Sequence, residues 1–102
     1  MTFIQVMQYE TSHPREMDAL MDEWIAATEG KRTATRDTHT QDRDHPGRYV
    51  DIVEFPSYEL AMRNSELPET QHIAAKMREL CAADVQFLNL DVVRDETLTT
   101  ER

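Results

Sequence analysis

The amino-acid sequence predicts an α+β fold of β-α-β-β-α-β order, one small domain whose four-stranded sheet pairs with a second copy of itself. Three observations carry that expectation. Two stripes of apolar residues recur at helical spacing, over residues 17–25 and 70–81. They are set among strand-like runs rich in β-branched and aromatic residues, TFIQVMQY, RYVDIVEF and VQFLNLDVV. Split by alternation, these runs give two sheet faces, each with more large apolar groups than a lone subunit leaves in water.

Residues 2–9 form the expected first strand. Thr11, Ser12 and Pro14 punctuate the chain, with Ser12 or His13 able to cap a helix and Pro14 tolerated in its first turn. Met17, Leu20, Met21, Trp24 and Ile25 follow at i, i+3, i+4, i+7 and i+8, one apolar stripe on a helix that stops at Gly30. Residues 33–41 are polar and threonine-rich, residues 42–47 hold Asp44, Pro46 and Gly47, and residues 48–55 are strand-like. Together they predict a hairpin. Ser57 is placed to cap a short helix carrying Leu60, Ala61 and Met62 towards Asn64, and Pro68 restarts or bends it. Thr70, Ile73, Ala74, Met77, Leu80 and Cys81 make the second stripe, and residues 85–93 close the sheet. The domain is expected over residues 1–95, with a polar tail over 96–102.

A chain of 102 residues with 39% hydrophobic and 30% charged residues has a globular balance and room for one core. Its formal net charge of -9 repels a phosphate backbone or an anionic bilayer, so neither nucleic acid nor membrane is expected as a partner. Phe3 and Tyr49 imitate the base-stacking aromatics of RNA-binding sheets, but the acidic balance gives phosphates no partners. A single cysteine, Cys81, rules out an internal disulfide and suits a reducing compartment. With neither a leader-like amino terminus nor an apolar run of spanning length, the expected location is the cytoplasm.

Alternation divides each strand. One set, Ile4, Val6, Val50, Ile52, Leu88, Leu90 and Val92, is uniformly apolar and is expected to lie under the helices as the core. The opposite set mixes Phe3, Met7, Tyr9, Tyr49, Val53, Phe55, Phe87 and Val93 with Gln5, Asp51, Asn89 and Asp91. Water is a poor environment for so many rings, and the simplest cover is the same face of a twin, giving a homodimer.

Two segments, FPSYELAMRNSELPET after the third strand and FLNLDVVRDE at the end, together with the element order, resemble the dimeric α/β-barrel superfamily. Within it the chain is similar to small ferredoxin-like proteins of the antibiotic-biosynthesis-monooxygenase type. The resemblance implies a pocket between helices and sheet and, as activity, cofactor-independent monooxygenation of an aromatic or polyketide-like small molecule. The haem-degrading branch of the superfamily uses a strand-one Asn with a Trp and a His on the second helical region. Here His72 stands in the comparable place, but the other two positions hold Met7 or Gln8 and Met62, so haem degradation is not expected.

Several side chains are candidates for chemistry. If the hairpin sets Gln41 opposite Tyr49, His39 falls opposite Asp51, and a His held by a carboxylate is a general base. The same pair also reads as an ion pair that fixes a dimer interface. His72 beside the second stripe either lines a pocket and acts on a substrate or faces water. Gln8 and Asn64 are the amides able to reach a helix-to-sheet pocket, unless they serve as caps. Trp24 reads as core or pocket wall, while Gln5, Tyr49 and Asn89 offer ligand contacts from the mixed face. His13, His39, His45 and His72 lack metal-ligand spacing, so no metal is expected, and the resemblance implies that no cofactor is needed. A non-catalytic homodimeric ligand-binding or assembly module is the alternative function. A tightly filled space among Leu20, Trp24, Ile73 and Met77 would favour it.

Overall fold

A computed structural model describes residues 1–99. Strand β1 (Phe3–Glu10) leads through helix α1 (Pro14–Ala27) to the hairpin β2 (Arg36–Gln41) and β3 (Arg48–Phe55). Helices α2 (Tyr58–Glu66) and α3 (Pro68–Leu80) precede β4 (Gln86–Asp91). The strands form one antiparallel sheet in the order β2-β3-β1-β4, the ferredoxin-like arrangement the sequence predicts. Of the expected tail, residues 96–99 have no regular secondary structure and 100–102 lie outside the described residues. No helix among the described residues is long and apolar enough to cross a membrane.

Local chemistry sets the boundaries. His13 occupies the N-cap of α1 but makes no side-chain cap bond, and neither does Ser12 take the role. Thr11 anchors this end instead: its hydroxyl accepts from His13 N at 3.0 Å and donates to Leu80 O at 2.6 Å. At the other end of α1 the fully buried Thr28 turns its hydroxyl onto Trp24 O, and Gly30, at φ +80°, takes the left-handed conformation that lets the chain leave the helix. Ser57 caps α2 as expected, accepting from Leu60 N at 3.2 Å. Leu67 is forced into extended geometry (φ −61°, ψ 131°) by the proline that follows, so the second helical region is two helices.

The hairpin has the expected register: Gln41 faces Tyr49, His39 faces Asp51 and Asp37 faces Val53. Its first arm starts later than expected. Thr33 is held by α2, through its hydroxyl to Leu60 O at 2.6 Å and its amide to Asn64 Oδ1 at 3.2 Å, so the ladder begins only at Arg36.

Alternation separates the two faces as expected, but their roles are reversed. Phe3, Tyr9, Tyr49, Asp51, Val53 and Phe55 are the buried strand residues and pack under the helices against Met17, Ala61, Met62 and Met77. Ile4, Val6, Val50 and Ile52 lie on the outer face and are only half-buried, while Leu88 and Leu90 stand 48% and 44% exposed. The physical reason is size. The rings of the mixed face each carry the area of a large core residue, which outweighs the polar groups among them once those groups bond to one another.

Candidate functional site

The reversal puts the polar side chains of the mixed face inside the protein. The core there falls into two clusters, one around Phe3, Val53, Phe55 and Ala61, the other around Tyr9, Met17 and Tyr49. Between them a cavity of about 130 Å³ is left open. Its walls are Met7, Val53 and Phe55 of the sheet, Met17, Leu20, Met21 and Trp24 of α1, and Ile73, Ala74 and Met77 of α3. The space among Leu20, Trp24, Ile73 and Met77 is therefore not tightly filled. A second hollow continues it towards β4, sharing Gln5, Met7, Thr70, Ala74 and Met77 and edged by Gln71, Arg78 and Phe87.

At the β2 end of this apolar chamber sit Tyr9, Asp37, His39 and Asp51. His39 Nδ1 lies 2.5 Å from Asp51 Oδ1, and the Tyr9 hydroxyl donates to Asp51 Oδ2 at 3.1 Å. With Asp51 ionised, the carboxylate can only accept, so the imidazole hydrogen sits on Nδ1 and Nε2 keeps its lone pair. Nε2 is 3.8 Å from Asp18 Oδ1, beyond hydrogen-bond distance. The ring is clamped by Tyr49, coplanar within 2° at 5.5 Å, and Tyr49 stacks in turn on Tyr9. Neighbouring strands supply all four groups, which fixes them on a rigid frame.

The electrostatics follow from burial. Asp51 is almost sealed, and desolvation raises its pKa above the usual carboxylate range. The bonds from His39 and Tyr9 pull it back only in part. Tyr9 is pushed above its ordinary value, first by burial and then by the Asp51 charge. Asp37 is also raised, by desolvation first and by Asp51 second, with His39 opposing. Its Oδ1 is buried and has no hydrogen-bond partner. No group of three His, Cys, Asp or Glu side chains among the described residues is placed to hold a metal.

The sequence candidates separate clearly. His39, Asp51, Trp24, Gln5 and Asn64 all line the cavity, and Tyr49 braces His39 from behind. Trp24 Nε1 donates to Thr70 Oγ1 at 2.9 Å, leaving its ring as cavity wall, and Asn64 is buried with its carbonyl on the Thr33 amide. Asn89 is exposed on β4 and holds Gln5 at 3.1 Å, so it acts at one remove. Two candidates fall outside. His72 is exposed on α3 and absent from the walls, because Ile73, Ala74 and Met77 take the inward side. Gln8 is exposed on the outer sheet face, where the parity of β1 sends it once the faces are reversed. Asp37 was not anticipated; standing two residues before His39 on the same strand face, it could have been found from the hairpin register alone.

This frame is ferredoxin-like, and solved structures of antibiotic-biosynthesis-monooxygenase-type proteins share the fold. SnoaB, a cofactor-independent oxygenase from Streptomyces nogalater, matches with TM-score 0.78 at 17% identity over 92% of this chain and 95% of its own. Rv0793 from Mycobacterium tuberculosis matches with TM-score 0.78 at 15% identity over 95% and 100%. An antibiotic biosynthesis monooxygenase matches with TM-score 0.74 at 15% identity over 92% and 100%. No family model matches the chain, and neither does a curated protein.

Proposed function

We propose that the protein is a cofactor-independent oxygenase acting on a small hydroxylated aromatic molecule in the cavity, with His39 as general base and Asp51 as its orienting partner. The observation that carries this reading is the Asp51–His39 pair at the end of an open apolar chamber, the carboxylate buried and the imidazole partly exposed. An aromatic ring fits walls of Met, Leu, Ile and Trp, and its hydroxyl meets the free Nε2 lone pair. Taking that proton leaves an electron-rich phenolate, which supplies the electrons to dioxygen itself. One oxygen atom is kept on the ring as a carbonyl, the other leaves as water with the two displaced hydrogens, and phenol plus dioxygen becomes quinone plus water. SnoaB's description as a cofactor-independent oxygenase supports the same reaction class.

The test is oxygen uptake with a panel of electron-rich phenols such as 1-naphthol. Uptake that falls about 10²- to 10⁴-fold in His39→Gln is the expected result. A panel that binds but consumes no oxygen would leave a ligand-binding module. The open cavity speaks against a packed assembly module.

We further propose that a second copy covers the outer sheet face, the opposite one from the face the sequence suggested. Its centre is the apolar strip Ile4, Val6, Val50, Ile52, Leu88 and Leu90, and an acid–base pair stands at each end: Glu10 with Arg48 at 3.7 Å, Glu54 with Arg36 at 4.0 Å. A two-fold axis running along the strip through both pairs lays each pair over its own copy, so that Arg48 meets the partner's Glu10 and Arg36 the partner's Glu54. Sedimentation at micromolar concentration is expected to show a dimer, and a lone subunit would overturn it.

A further inference from the structure

We propose that Asp37 works as a proton-bearing hydrogen-bond donor in the His39 cavity, so that the site selects uncharged hydroxyaryl ligands carrying a second, acceptor oxygen over ligands bearing a carboxylate. The inference rests on the reading of the cavity as a ligand site and names what that ligand must carry.

The geometry of the charges is the ground. Asp37 lines the cavity, and its Oδ1 is sealed from solvent without a donor. An ionised carboxylate in that position lacks the hydrogen bonds that would compensate its burial, which favours the neutral acid. Of the groups facing it only His39 favours ionisation, and that imidazole is bonded to Asp51. From β3 comes Asp51, a carboxylate that accepts the His39 Nδ1 hydrogen; from β1 comes the Tyr9 hydroxyl, committed to Asp51; and beyond His39 Nε2, on α1, stands Asp18, another carboxylate. Among the described residues no Lys or Arg lines this cavity. The chamber thus holds two inward carboxyls against one imidazole, and the second carboxyl stays neutral by keeping its proton. Burial and the Asp51 charge both displace its titration upward.

A proton on the Asp37 carboxyl at the cavity wall is a donor awaiting an acceptor. Asp37 and His39 project from one face of β2 two residues apart, about 6.5 Å along the strand. A fused bicyclic ring with a hydroxyl near one end and a carbonyl near the other spans that distance, the hydroxyl to His39 and the carbonyl to Asp37. At this end of the chamber a ligand carboxylate instead meets two carboxyls and neither lysine nor arginine, and is disfavoured.

Calorimetric binding of 5-hydroxy-1-tetralone, 1-naphthol and 1-naphthoate to wild type, Asp37→Asn and Asp37→Leu tests the assignment. Wild type and Asp37→Asn, whose amide still donates, are expected to prefer the tetralone over naphthol about five- to tenfold, and Asp37→Leu to lose that preference. Naphthoate should bind weakest to wild type. The ratio of tetralone to naphthol affinity cancels what His39 and Asp51 contribute to both. In wild type it should fall as pH rises through the upward-displaced titration of Asp37, while in Asp37→Asn it should hold. That second readout needs no leucine variant to fold. Equal tetralone preference in Asp37→Leu, or a wild-type ratio indifferent to pH, overturns the role of Asp37 while naphthol binding keeps the cavity reading intact. Failure of all three ligands to bind wild type overturns both.

Discussion

The two faces of the sheet reverse the ordinary distribution of polarity. The face under the helices contains Gln5, Tyr9, Asp37, His39 and Asp51, while the face turned outward is a strip of Ile, Val and Leu. A protein with only its own core to fill would place these sets the other way round. Polar groups inside, bonded to one another beside an open space, serve something that enters the space. Apolar groups outside, framed by paired charges, serve something that covers them. The difference between the faces is the difference between a site for a small molecule and a site for a large one.

The sharpest way to break this comparison is to truncate one residue on each face. Phe55→Ala removes a 3% exposed ring from the inner cluster and is expected to cost about 3–5 kcal/mol of stability by chemical denaturation. Leu90→Ala, on a side chain 44% exposed, is expected to leave the unfolding of a dilute subunit within about 0.5 kcal/mol of wild type. Equal costs would mean that both faces are core. The next effect in size concerns assembly: Leu88→Asp places a charge in the outer strip, and sedimentation is expected to show at least a 100-fold weaker dimer, about 2.7 kcal/mol, with the circular dichroism spectrum unchanged.

How far these contrasts were legible in the sequence depends on the residue. Alternation showed that Phe3, Tyr9, Tyr49 and Phe55 share one face and Ile4, Val6 and Ile52 the other, because a strand's period is fixed. Which face the helices cover is a tertiary matter, settled by total ring area and by the ability of Asp51, His39 and Tyr9 to satisfy each other, and uniform hydrophobicity pointed the wrong way. The His39–Asp51 contact was readable because the Asp44, Pro46 and Gly47 turn sets the register, and it stood whichever face was inside. Gln8 was lost with the reversal. His72 failed for a local reason: a residue next to an apolar stripe faces the cavity only if the helix rotates towards it, and Ile73 and Met77 hold α3 the other way.

Tyr9 sharpens the comparison within the inner face. Tyr9→Phe keeps the ring that stacks on Tyr49 and removes only the hydroxyl bond to Asp51. It is expected to cost about 1.5 kcal/mol, the size of a hydrogen bond to a charged acceptor. That bond favours the ionised form of Asp51, so its loss raises the Asp51 pKa further. The acid limb of oxygen uptake should therefore move to higher pH, a shift that a purely structural hydroxyl would not produce.

The smallest expected effect has the opposite sign. Asp37 and Asp51 both titrate above the value, about 3.9, that an unfolded chain gives an aspartate. Between that value and the raised ones the native state binds more protons than the unfolded state, so stability declines as pH rises through this window and recovers on acidification. Each group's favourable contribution is complete below the unfolded pKa and gone above the folded one. Asp37→Asn removes one such group along with a buried oxygen that has no donor when ionised. At neutral pH the variant is expected to be more stable than wild type by up to about 1 kcal/mol, or roughly 4–8 °C in Tm, and its stability should fall less between mildly acid and neutral pH. Its advantage should vanish below about pH 4, where the wild-type carboxyl is protonated in both states. A natural protein that keeps a destabilising carboxyl at the wall of its cavity, when an amide of the same shape would stabilise it and still donate, keeps it for what the amide lacks, a donor that ionisation switches off as pH rises. A variant no more stable than wild type at any pH would show that Asp37 carries no such burden and would remove that ground for assigning it a role.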